Sequence, residues 1–84
     1  MYDHEHHRAI AAIGDAVRAR RPRLGLRQHD LAVLPGCSVP WLVKLEAGRG
    51  TVQVDKVVDV LDALGLHLEI RTGAGPISVG DDVA

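Results

Sequence analysis

The sequence predicts a mainly α-helical chain, with four helices in residues 1–65 and one β-strand over residues 66–71. Three observations carry that prediction. Apolar residues recur at the three-and-four spacing of a helix face in successive stretches. Gly25, Gly36, Gly48 and Gly65 punctuate those stretches, as glycine does where helices stop. Leu66-His67-Leu68-Glu69-Ile70-Arg71 then alternates apolar with polar, the period of a half-buried strand.

Composition narrows the field. A chain of 84 residues builds one small domain with a thin core. Without Phe, and with one Trp and one Tyr, that core must come from Leu, Val, Ile and Ala. No apolar run approaches the roughly 18 residues of a membrane span, and no signal peptide is expected. The single Cys37 excludes an internal disulfide and suits the cytoplasm; it reads as a small turn residue. The net charge of −1 conceals an asymmetry. Residues 1–50 hold eight Lys/Arg against five acids (+3), and residues 51–84 two against six (−4). Nucleic acid responds to local potential, so the basic half is the half to inspect.

Residues 1–7 contain His4, His6 and His7. They read as an N-terminal extension or early helical turn, because adjacent His6 and His7 point to different helix faces and make a poor metal site. Ile10, Ile13 and Val17, filled in by Ala9, Ala12 and Ala16, predict a first helix from Arg8 to about Arg21, closed by Pro22 and Leu24-Gly25-Leu26. Gln28 opens a second helix with Leu31, Ala32 and Leu34 on one side, until Pro35 and Gly36 interrupt it. Ser38 is a hydroxyl N-cap for a third helix, Val39–Ala47, anchored by Leu42 and Leu45. Pro40 is tolerated in that first turn. Ala32 is small where the two helices should cross, and Gly36 supplies positive φ at the turn. Two short helices joined in this way make a helix-turn-helix, whose second helix leaves one face free to enter a DNA groove. Val54, Val57, Val58, Leu61 and Leu64 predict a fourth helix, Gln53–Leu64, with Asp55, Asp59 and Asp62 on its other side.

The segment from Leu26 to Gly48 resembles the Xre/lambda-repressor-like helix-turn-helix family. Its local pattern is matched at Leu26, Gln28, Leu31, Ala32, Gly36, Ser38, Leu42, Leu45, Glu46 and Gly48. Pro35 and Ala47 depart from it at the helix ends. The resemblance implies a four-helix domain over residues 1–65 that binds double-stranded operator DNA. Its register turns Val39, Pro40 and Lys44 toward base edges, with Trp41 and Val43 beside them. Lys44 can donate to guanine, whereas Val39 and Pro40 offer only apolar contact and shape. Trp41 is left open between core packing and the sugar-phosphate wall. Gln28 is implied as a phosphate contact, Ser38 belongs to the DNA-binding set, and Arg27 and Arg49 are further phosphate candidates. Arg21 and Glu46 are implied to form a structural ion pair. Arg18, Arg20 and Arg23 remain phosphate candidates that equally suit the negative end of a helix dipole.

A lone strand leaves backbone donors and acceptors unpaired. Residues 66–71 are therefore expected to pair antiparallel with a second copy, through Leu66, Leu68 and Ile70, in a two-fold homodimer. Residues 72–84 read as a flexible tail. A four-helix core followed by Leu64-Gly65-Leu66-His67-Leu68-Glu69-Ile70 resembles HipB-like antitoxins. That likeness implies a dimeric repressor of its own operon that also neutralises a HipA-like kinase toxin. The alternatives are a free-standing repressor of the same family and a protein-interaction adaptor that kept the fold. No nucleophile–base pair, glycine-rich phosphate loop or paired carboxylates occur, so no enzyme, cofactor or metal is expected.

Overall fold

The computed structural model describes the backbone of residues 2–49, 53–70, 72 and 77–81, and the side chains of 8–49, 53–70, 72 and 78–80. Four helices and a hairpin follow in order: α1 (Tyr2–Arg23), α2 (Gln28–Val33), α3 (Val39–Glu46), α4 (Val54–Ala63), β1 (Leu66–Ile70) and β2 (Ile77–Asp81). The chain is mainly α, with a helix-turn-helix at α2–α3. Backbone helix begins already at Tyr2 and runs on through Pro22 to Arg23, so α1 is longer at both ends than its apolar spacing suggested. The histidine side chains of residues 4–7 lie outside the described residues.

Helices α1, α2 and α3 end in the same way. The amide of a positive-φ glycine reaches back three residues, and the next amide reaches back five. For α2 these bonds are Gly36 N–H to Val33 O at 3.2 Å and Cys37 N–H to Ala32 O at 3.0 Å, with Gly36 at φ +72°. Pro35 fits because its missing N–H is not needed: Leu34 N–H donates to the Leu31 carbonyl instead, at 3.1 Å.

The core is a single cluster drawn from every helix and from β1. Val17, Leu31, Leu42, Leu45, Val60, Leu61 and Leu64 are fully enclosed, and Ile13, Ala32, Val57 and Leu66 complete it. On α4 the inward set is Val57, Val60 and Leu61, while Val54 and Val58, expected on the buried stripe, face out. The buried arc is therefore turned toward Val60.

The crossing of α1 over α3 depends on an absent side chain. Gly14 is buried in mid-helix, and a Cβ there would collide with the Leu45 carbonyl oxygen. At the end of α3, a Cβ on Gly48 would meet Ala11 Cα at 3.1 Å, so α1 and α3 approach backbone to backbone. Helix-interior Gly costs about 1 kcal/mol relative to Ala, which makes Gly14 informative in retrospect.

The strand expectation is corrected. β1 is not solitary: β2 pairs with it antiparallel within the chain, with Leu66 opposite Asp81, Leu68 opposite Val79 and Ile70 opposite Ile77. Residues 77–81, expected within a flexible tail, supply the missing backbone partners. Of the residues assigned to a dimer, Leu66 is buried in the chain's own core and Leu68 packs against it beside Val79. Ile70 lies at the outer end of the hairpin, 85% exposed. β1 contacts α4 and β2 contacts α1, so the hairpin lies across the first and fourth helices.

Candidate nucleic-acid interface

Helix α3 is built to keep one side outward. Ser38 Oγ accepts from Trp41 N–H at 3.2 Å, so the serine assigned to DNA contact also caps the helix, and Pro40 occupies the first turn. Leu42 and Leu45 are enclosed, and Glu46 beside them is 5% exposed. Pro40, Val43, Lys44 and Ala47 are exposed, at intervals of three, one and three residues, and form one continuous outward stripe. Val39, expected on the reading face, is half-buried and packs against the core. Val43, expected beside the face, lies within it. Trp41 is half-buried against the core on the flank of the stripe.

Beneath the stripe sits a charged brace. Arg21 of α1 donates to Glu46 of α3 through Nε at 2.7 Å and Nη2 at 3.0 Å, a two-pronged pair. The third arm, Nη1, donates to the Leu26 carbonyl at 3.0 Å. Gln28 Nε2 adds a 3.3 Å bond to Glu46 Oε1. The Glu46 hydrogen bond raises the Arg21 pKa above its ordinary value, against the opposing effect of burial. The side chains are only 17% and 4% exposed, so the carboxylate is neutralised locally instead of facing a phosphate. Gln28, expected on phosphate, is thus tied into the joint between α1, α2 and α3.

The remaining cations divide clearly. Arg20 Nε donates to the Leu64 carbonyl at 3.0 Å, a scaffold bond that bridges α1 to the end of α4. Arg18 pairs with Asp15 at 2.9 Å on the surface. Arg27 reaches Asp30 through Nε at 3.1 Å, while Asp30 Oδ2 accepts the Arg27 amide at 2.9 Å and caps α2. These hydrogen bonds, the guanidinium first, hold the Asp30 carboxyl below its usual range. Arg23, Lys44, Arg49 and Lys56 have no carboxylate partner among the described residues. Lys44 and Arg49 lie on and just past α3. Lys56, which the acidic reading of α4 passed over, holds its ammonium 5.9 Å from the centre of the Trp41 ring. No sequence spacing reports such a contact across the α3–α4 loop.

An outward helix anchored by leucines, joined to its predecessor by a glycine turn and braced from below by a neutralised acid, defines a helix-turn-helix domain. Residues 12–72 match the helix-turn-helix domain family. Over 60 residues the chain is 43% identical to an uncharacterized HTH-type transcriptional regulator, y4mF, of Sinorhizobium fredii, an alignment covering 71% of this chain and 79% of that relative. It is 33% identical over 63 residues to an uncharacterized transcriptional regulator in the ATPase CF(0) region of Rhodospirillum rubrum, which spans 75% of this chain and 58% of that protein. No solved structure matches the chain. The chain belongs to the helix-turn-helix domain family.

Proposed function

We propose that this chain is a sequence-specific DNA-binding transcriptional repressor that lays α3 along the major groove of an operator. The observation that carries this reading is the outward stripe Pro40–Val43–Lys44–Ala47, held rigidly by Leu42, Leu45 and the Arg21–Glu46 brace. Lys44 is the one side chain on that stripe able to donate to a base edge. The rest offers apolar contact to thymine methyls, so DNA shape contributes strongly to selectivity. Two relatives named as transcriptional regulators point the same way.

The test is an operator selected in vitro, compared with a scrambled duplex across a salt series. Lys44→Ala should cost about 1–3 kcal/mol on the selected site and less on the scrambled one. Equal losses on both duplexes would make Lys44 a phosphate contact. Binding that ignores salt would identify a protein-interaction adaptor, since neutralising phosphates gives log K a steep negative slope against log salt.

The narrower reading is a homodimeric HipB-like antitoxin that represses its own operon and holds a HipA-like kinase toxin, acting at the nucleoid in the cytoplasm. Its support is the order of elements, a strand entered through Leu64-Gly65-Leu66 directly after the fourth helix. Two-fold pairing of α3 would suit half-sites one helical turn apart. Co-expression with a kinase encoded beside it should relieve toxicity and yield a stable complex. Unrelieved toxicity would leave a free-standing repressor.

A further inference from the structure

We infer that Lys56 and Trp41 together form a phosphate clamp on one flank of α3, so that α4 contributes a cation to the DNA-binding surface. The inference rests on the proposal that α3 enters the major groove. That groove is about 12 Å wide and a helix with its side chains about 10–12 Å across. The outward stripe therefore meets base edges, while residues at the helix flanks meet the sugar-phosphate walls. Trp41 is such a flank residue, adjacent in sequence to Pro40 and one turn before Lys44 and Leu45.

The ammonium of Lys56 stands over that indole at 5.9 Å from the ring centre. The contact is the cation–π kind, which fixes the position of the charge without using its hydrogen-bond donors. Lys56 is half-buried, so its stem lies along the protein and its head is held in place. No carboxylate among the described residues competes for it, although Asp55, Asp59 and Asp62 share its helix. Its charge also reaches the turn before α3: burial pushes the Cys37 thiol pKa up, and Lys56 opposes that rise. One cation on an otherwise acidic helix is thus delivered beside the recognition helix, where a phosphate row passes. Trp41 acts as the platform that positions it.

The experiment measures operator and scrambled-duplex affinity for the full chain, Lys56→Gln and Lys56→Arg over a salt series. Lys56→Gln should weaken both duplexes by the same factor and reduce the slope of log K against log salt by about 0.9, the value of one phosphate contact. Lys56→Arg should keep the slope. Trp41→Leu, which removes the platform and keeps the charge, should weaken binding with a smaller change in slope. An unchanged slope and affinity in Lys56→Gln, with steep salt dependence in the unmodified chain, overturns the clamp alone. A flat salt response in the unmodified chain overturns the DNA-binding reading and the clamp with it.

Discussion

At the scale of single residues, Glu46 decides most. A carboxylate 5% exposed on α3, the helix proposed to enter the groove, is tolerable because Arg21 meets it with two hydrogen bonds and Gln28 adds a third. Removing one partner strands a buried charge, so Arg21→Ala should destabilise the fold by about 3–5 kcal/mol in urea titrations. The paired change Arg21→Met with Glu46→Leu should recover most of that loss. Equal destabilisation by the single and double variants would show that the pair is not what Arg21 supplies. Asp30 offers a separate readout. Its folded pKa lies below the ordinary value of 3.8, held there by the Arg27 guanidinium and amide. The contribution is therefore fully present above pH 3.8 and disappears as pH falls through the lower folded value. An NMR titration of the Asp30 carboxyl should give a midpoint under 3.8, and a midpoint at or above it would contradict the cap.

At the scale of elements, the helices were legible and their contacts were not. Apolar spacing and the glycine stops located α2, α3 and α4 to within a residue of their ends, because each helix buries one face and stops two or three residues before a positive-φ glycine. The Arg21–Glu46 pair came from family resemblance, as no local spacing joins residues 25 apart. The Lys56–Trp41 contact depends on how α4 packs beside α3, which one-dimensional patterning does not carry. Strand β2 escaped notice for a different reason. Ile77-Ser78-Val79-Gly80-Asp81 offers only two apolar residues, and Gly in a strand interior weakens the pattern. The structure explains that glycine: the His67 ring lies across it, where a Cβ would come within 2.5 Å of His67 Cε1. Helix crossing gives this scale its prediction. Gly14→Ala improves helix propensity by about 1 kcal/mol yet drives a methyl into the Leu45 carbonyl. It should be net destabilising by about 1–3 kcal/mol and weaken operator binding by displacing α3. A more stable Gly14→Ala protein would mean that α1 and α3 can separate freely.

At the scale of the whole molecule, the hairpin gives β1 a role within its own chain. The strand expected to pair with a second copy also covers the core of its own chain, with Leu66 enclosed and Leu68 packed beside Val79. Leu68→Asp should therefore act on the folded chain itself. Thermal unfolding should reveal a loss of roughly 1–3 kcal/mol, with no change of mass in sedimentation at matched concentration. A halved mass with an unchanged melting temperature would return Leu68 to a subunit interface.

The contact of β2 with α1 joins the last described element to the first. Helix α1 therefore keeps one flank uncovered until the hairpin closes on it, a contact between segments far apart along the chain. Removing Ile77–Asp81 would strip that flank of α1 along with the backbone partners of β1.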